Sequence, residues 1–155
     1  MTDITNLSTV NVAISNYIAV VTMNNPPVNA QNRQFHDDLT LAFDVLSDRN
    51  DVRSIVLTGA GKCFSAGADI KGRASQESDL GDHWVHSRRV RECFYSIMEC
   101  RKPVIAAING AALGAGLAVA ASADILIASE SASVGLPEIN VGLLGGGRHA
   151  MRLFS

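Results

Sequence analysis

Residues 102–116 read Lys-Pro-Val-Ile-Ala-Ala-Ile-Asn-Gly-Ala-Ala-Leu-Gly-Ala-Gly. The apolar run Val104–Ile108 predicts one buried strand, and Pro103 separates it from whatever precedes it. Asn109-Gly110 is a typical turn pair, and the small-residue stretch Leu113–Ser122 that follows predicts a helix. A buried strand that leads through a glycine-rich turn into a helix indicates an α/β fold.

The same alternation continues upstream of this unit. Val10–Ile14 and Tyr17–Met23 predict two opening strands, and Ser54–Thr58 predicts a buried one. Apolar residues recur at intervals of three and four across Gln31–Leu46 and across His83–Cys100, which predicts two amphipathic helices. In the second helix we expect these side chains to point inward: Trp84, Val90, Phe94, Ile97 and Met98.

Downstream, Asp124–Ala128 and Ser133–Gly135 predict two more strands, and Arg148–Phe154 predicts the start of a last helix. We therefore predict one α/β domain over residues 1–155, with crossover connections between its strands. The last helical pattern reaches Ser155 without a glycine or asparagine cap, so we interpret the chain as truncated.

The composition excludes several classes of function. The net charge is −2 and basic residues are scattered, which argues against a nucleic-acid interface, and no apolar run is long enough to span a bilayer. Met1–Asn11 does not resemble a secretory signal. Cys63, Cys93 and Cys100 are odd in number and lack metal-site spacing, so we predict reduced thiols, a cytoplasmic protein and no bound metal.

Three glycine-containing loops are candidates for a site: residues 63–71, residues 109–116, and Leu136-Pro137-Glu138 with the glycines that follow. Two departures from the known motifs argue against nucleotide binding. Cys63 stands where a phosphate loop requires serine or threonine, and Gly114-Ala115-Gly116 is followed by Val119 where the dinucleotide motif requires glycine. The glycines of any single loop could equally end a strand in a tight turn.

Taken together, the blocks resemble a known family. Phe64-Ser65-Ala66-Gly67-Ala68-Asp69-Ile70-Lys71, Lys102 to Gly110, Ala123-Asp124-Ile125 and Leu136-Pro137-Glu138 are similar, in order and spacing, to the signatures of the enoyl-CoA hydratase/isomerase (crotonase) superfamily. Asn25-Pro26-Pro27-Val28-Asn29-Ala30 resembles that family's first acyl-CoA contact segment. The resemblance implies a spiral of ββα turns, of which this chain would lack the C-terminal helices that form trimers or dimers of trimers.

The resemblance also implies roles for individual residues. The backbone N–H groups of Ala68 and Ala115 would form an oxyanion hole for a thioester carbonyl, and Glu138 would transfer the proton. Residues expected to contact the coenzyme A part of the substrate are Val28, Ala30, Ala66, Asp69, Ile70 and Lys71. Coenzyme A would arrive as part of an acyl-CoA substrate, so we expect no separate cofactor. Asp69 and Lys71 could instead be a solvated pair.

One position departs from the family pattern. Ala118 occupies the place of one of the two glutamates that hydratases use, and alanine can neither orient water nor carry a proton. One carboxylate suffices for a proton shift, which favours isomerase-type chemistry. His149 is another possible proton carrier, although it, His83 and His86 are more simply exposed helix residues. A non-catalytic acyl-CoA-binding or scaffold protein is the alternative from another class.

Overall fold

The computed structural model describes residues 4–70, 72 and 79–142, with only the backbone of Ile139 and Val141. In chain order the elements are β1 Val10–Ser15, β2 Ile18–Met23, α1 Arg33–Asp48, β3 Ser54–Gly59, β4 Cys63–Ser65, α2 Leu80–Met98, β5 Val104–Ile108, β6 Ala111–Leu113, α3 Ala115–Ala121, β7 Ile125–Ala128, β8 Val134–Gly135 and a 3₁₀ helix Pro137–Val141. The expected helix at Arg148–Phe154 and His149 lie outside the described residues.

Two sheets receive successive strands in turn. The larger sheet has the order β1-β2-β3-β5-β7 and the smaller one β4-β6-β8. From β3 onward the chain places one strand in the large sheet and the next in the small sheet, and helices α2 and α3 follow two of these pairs. All pairings are parallel except β1 with β2. The predicted α/β spiral of ββα turns is confirmed.

The antiparallel pair β1–β2 closes through a two-residue turn. Asn16 and Tyr17 both have positive φ, 50° and 65°. Two positive φ values in a two-residue hairpin match the twist of the flanking strands. The predicted opening hairpin is thereby confirmed, with its turn one residue later than Ser15-Asn16.

Helix α1 covers the large sheet and carries much of the core. Asn32 caps it by accepting a hydrogen bond from the Phe35 N–H at 2.9 Å. Its inward residues recur at helical spacing: Phe35, Leu39, Ala42, Phe43 and Leu46. Asp38 is also buried and accepts hydrogen bonds from Ser8 N and from Thr9 N and Oγ1, so this carboxylate fastens the N-terminal segment to α1.

Helix α2 differs from the prediction in its start and in its inward face. It begins at Leu80, three residues before His83. Trp84 is 71% exposed, so its inward placement was wrong, whereas His86 is buried and not exposed as expected. The buried stripe includes His86, Cys93 and Ile97 at spacings of seven and four, and Trp84, two residues from His86, lies about 200° away around the helix.

The region after β5 also differs at its boundary. Ala111–Leu113 forms strand β6, and helix α3 begins only at Ala115, after Gly114 with φ +54°. The sequence had predicted helix from Leu113. Pairing of β6 with β4 and β8 takes these small residues into the second sheet, which their local pattern does not reveal. In the described part of the chain, no helix is both long and apolar enough to cross a membrane.

His36 of α1 and His86 of α2 meet edge to face, with ring centroids 5.8 Å apart. Neither ring nitrogen of the buried His36 has a hydrogen-bond partner among the described residues. Burial, followed by electrostatic interaction with His86 and with Arg89, lowers the pKa of His36 to about 4. Arg89 itself forms an ion pair with Asp37 of α1. The two helices therefore enclose a histidine that resists protonation.

The free energy of unfolding should consequently fall as the pH drops from about 6.5 to about 4. Across that window the unfolded chain binds a proton at His36 and the folded protein does not, which removes up to ~3 kcal/mol of stability. Chemical denaturation at pH 7 and pH 4.5 should show a smaller loss for His36→Leu than for the wild type. The control His83→Gln replaces an exposed histidine and should lose as much stability between pH 7 and pH 4.5 as the wild type. If His36→Leu also loses as much as the wild type, His36 is not the source of the pH dependence.

Candidate active site

The loop after β4 is held against the segment that leads into α1. Gln31 N donates to Gly67 O at 2.8 Å, and Asp69 N donates to Gln31 O at 3.0 Å, so Gln31 and Ala68 form an isolated parallel bridge. A trans peptide is planar, so fixing the Gly67 carbonyl toward Gln31 turns the Ala68 N–H to the opposite side. The direction of the Ala68 N–H is thus set by backbone hydrogen bonds.

The second loop lies between β6 and α3. Gly114 N donates to Gly135 O at 2.9 Å, and its φ of +54° turns the chain into the helix. Ala115 is the first residue of α3, where an N–H has no acceptor within its own helix. Among the described residues, neither Ala68 nor Ala115 donates its N–H to a backbone carbonyl.

The two loops meet at Gly67. A Cβ on Gly67 would lie 2.6 Å from Leu113 O and 3.2 Å from Ala115 N. Standard bond lengths then put the nitrogens of Ala68 and Ala115 within about 7 Å of each other. Gly67 also has φ +89°, a conformation that L side chains rarely adopt. Both its conformation and the close approach of the second loop therefore require glycine.

Glu138 lies beside the same junction. A Cβ on Gly114 would be 2.6 Å from Glu138 Oε1, so the carboxylate rests against the Gly114 α-carbon. Glu138 is half-buried, and its Oε2 is buried without a hydrogen-bond partner in the described part of the chain. A carboxylate oxygen with unused acceptor capacity can take up a proton from a neighbouring group. Ala118, on the next turn of α3, is buried, and its side chain offers no polar atom.

The residues expected to contact coenzyme A fall in two stretches of the sequence, one around Val28 and one that begins at Ala66. Ala66 N donates to Val28 O at 3.0 Å, which joins the two predicted contact segments, and Ala30 is half-buried beside them. Asp69 Oδ1 accepts from Gly72 N at 2.9 Å, and Ile70 is exposed. Lys71 lies outside the described residues.

Three polar residues beneath the loops were not singled out by sequence reasoning. Asn29, Gln31 and Ser65 are all almost fully buried. Asn29 Nδ2 lies within hydrogen-bond distance of the Ala60, Cys63 and Phe64 carbonyls, which ties the first contact segment to β4. The signal that could have identified them is their polarity next to apolar strand residues, since buried polar groups require partners.

The fold agrees with the comparison against known proteins. The profile of the enoyl-CoA hydratase/isomerase family matches residues 13–154. The chain belongs to the enoyl-CoA hydratase/isomerase family. The family resemblance inferred from the sequence motifs is therefore confirmed.

Individual known proteins are similar to this chain over most of its length. A probable enoyl-CoA hydratase of Bacillus subtilis is 39% identical over 147 residues, which cover 95% of this chain and 57% of that protein. A (7aS)-7a-methyl-1,5-dioxo-2,3,5,6,7,7a-hexahydro-1H-indene-carboxyl-CoA hydrolase of Mycobacterium tuberculosis is 38% identical and covers 88% and 55%. The chain spans little more than half the length of these relatives.

A solved structure agrees with the fold of this family member. The enoyl-CoA hydratase/carnithine racemase of Magnetospirillum magneticum superposes with a TM-score of 0.89 at 27% identity, covering 96% of this chain and 56% of that one. The family assignment thus rests on sequence and on the three-dimensional arrangement of the two sheets.

Proposed function

We propose that the protein containing this chain acts on an acyl-CoA thioester and stabilises its enolate with the N–H groups of Ala68 and Ala115. The observation that carries the proposal is the contact of the two loops at Gly67, with the Glu138 carboxylate beside Gly114. Proton removal next to a thioester places negative charge on the carbonyl oxygen. Two preorganised donors lower the energy of that state, and loss of one such donor costs about 3 kcal/mol of barrier.

The choice of substrate class is supported by the relatives. The Bacillus relative is named for an enoyl-CoA and the Mycobacterium relative for a carboxyl-CoA. Their names differ in the reaction and share the coenzyme A thioester. We therefore propose that the substrate is a coenzyme A thioester. We propose that its coenzyme A part is contacted by Val28, Ala30, Ala66, Asp69, Ile70 and Lys71. We propose no separate cofactor or metal.

Within this chemistry we propose isomerase-type proton transfer by Glu138 alone. The same carboxylate removes a proton from one carbon of the acyl chain and returns it to another. Hydration by two glutamates requires a second carboxylate, and Ala118 does not supply one. A spectrophotometric assay should therefore show conversion of a 3-enoyl-CoA to its 2-enoyl isomer and much slower hydration of crotonyl-CoA. Hydration faster than isomerisation would contradict this division of roles.

Replacing Ala118 by glutamate should raise hydration of crotonyl-CoA at least ~10-fold, because the new carboxylate can hold and deprotonate water. Ala118→Gln is the matched control, since it has nearly the same size and cannot accept the proton. Both variants are compared in the crotonyl-CoA assay after their folding has been verified by circular dichroism. Equal hydration by the two variants would show that position 118 does not act as proposed.

A non-catalytic acyl-CoA-binding or scaffold role is the second candidate, favoured by Ala118 itself. It predicts that crotonyl-CoA and a 3-enoyl-CoA bind and neither is turned over.

We also propose a cytoplasmic location, where the three free cysteines stay reduced. For the protein that contains this chain we propose trimers or dimers of trimers, which light scattering of the purified protein tests.

A further inference from the structure

The hydroxyl of Ser65 lies fully buried at the end of β4, directly below the first loop. It donates to Asn29 O at 2.7 Å and lies within reach of two donors, Gly67 N at 3.2 Å and Gln31 Nε2 at 3.2 Å. A hydroxyl has one donor and two acceptor positions, so these three hydrogen bonds use its full capacity. Such a saturated group ties residues 29–31 to the loop that follows β4.

Ser65 also touches the second loop. A Cβ on Gly116 would overlap the Ser65 carbonyl oxygen and would lie 2.9 Å from the Ser65 Cβ. Gly116 follows Ala115 directly, so the residue that fixes the Gly67 amide also packs against the start of α3. Ser65 therefore contacts both of the loops that carry the Ala68 and Ala115 peptides.

Gln31 also holds the first loop, through both its backbone and its side chain. Its backbone fixes the peptide that carries the Ala68 N–H, and its side chain donates to Ser65 Oγ. Gln31 is 1% exposed, so its amide is shielded from solvent competition. The Ser65 hydroxyl thus connects to both peptide planes of the first loop, to Gly67 directly and to Ala68 through Gln31.

We infer that Ser65 is a positioning residue for the proposed oxyanion hole, which it shapes without touching the substrate. This inference rests on the proposed function. Misplacement of reacting groups by about 1 Å can cost 100-fold in rate, and Ser65→Ala leaves two N–H donors and one carbonyl to rearrange. We expect Ser65→Ala to keep the backbone hydrogen bond from Ala66 N to Val28 O, so substrate binding through coenzyme A should change little. The loss should therefore fall on kcat and leave KM nearly unchanged.

The test measures the carbonyl stretching frequency of hexanoyl-CoA labelled with ¹³C at the thioester carbon, by infrared difference spectroscopy on the bound complex. Hydrogen bonds to the carbonyl lower this frequency. In Ser65→Ala we expect a smaller lowering than in the wild type, together with a ~10- to 100-fold fall in kcat for a 3-enoyl-CoA at similar KM. Wild-type frequency in folded Ser65→Ala overturns the inference.

Two further variants make the test decisive. Ser122→Ala removes another buried serine hydroxyl, which donates to Ala118 O at the end of α3, and it should lose stability while keeping the wild-type frequency. Ser65→Cys keeps the packing and weakens the hydrogen bonds, so it should give an intermediate frequency even if Ser65→Ala fails to fold. A wild-type frequency in Ser65→Cys also counts against the inference. If the wild type itself shows no lowering, the proposed function fails first.

Discussion

Glu138→Gln is expected to abolish turnover of a 3-enoyl-CoA, with a fall in kcat of at least ~1,000-fold. Glutamine keeps the size of the side chain beside Gly114 but cannot accept a proton. Binding of the thioester should persist, because Glu138 is not among the coenzyme A contacts. The measurement is a steady-state assay of isomerisation together with calorimetric binding of hexanoyl-CoA.

The control for this substitution is Glu130→Gln, which removes an exposed carboxylate outside the proposed site. Glu130→Gln should leave kcat and KM within about two-fold of the wild type, the scale expected for surface changes. If Glu138→Gln retains more than a tenth of the wild-type kcat, another group transfers the proton. His149 would then be the next residue to replace.

Gly67→Ala has the second largest expected effect, a fall in kcat of ~100-fold or more. The added Cβ would push against Leu113 O and Ala115 N and separate the two loops that are proposed to share one oxygen. The alanine would also adopt φ +89°, which costs about 1–2 kcal/mol of stability by itself. Steady-state kinetics and chemical denaturation of the same variant separate the two effects.

Gly61→Ala is the matched control for Gly67→Ala. Gly61 has φ +73°, and a Cβ there would meet no atom within 4 Å. Gly61→Ala should therefore lose stability because alanine is strained at positive φ. Its added Cβ clashes with no neighbouring atom, so kcat should be nearly unchanged. A similar fall in kcat for both variants would attribute the effect to backbone strain and not to the meeting of the loops.

The strands and the first helix could be predicted from the sequence because their signals are local. Val104–Ile108 and Ser54–Thr58 are largely apolar runs. Helix α1 carries apolar residues at regular helical spacing, and these residues are buried in the same core. Helix α2 was harder to predict. Trp84 is large and apolar and yet exposed, while the polar His86 is buried against His36. Which side of a helix faces inward depends on its partner helix, and a periodicity with few apolar residues does not fix it.

The candidate site was only partly visible in the sequence. The motifs containing Ala68, Ala115 and Glu138 could be recognised in the sequence, and the roles assigned to these residues are proposals. The contact between Gly67 and the second loop depends on pairing of β4 with β6, which joins segments about 48 residues apart. Ser65 and Gln31 were hidden for the same reason, since their hydrogen-bond partners are distant in sequence.

The most direct test of the central proposal is a crystal structure of the protein with a saturated acyl-CoA such as hexanoyl-CoA. We expect the thioester oxygen to lie about 3 Å from both Ala68 N and Ala115 N. The Glu138 carboxylate should face the acyl carbons next to that carbonyl. A bound acyl-CoA whose carbonyl oxygen contacts only solvent or only one of the two amides would contradict the proposed enolate stabilisation.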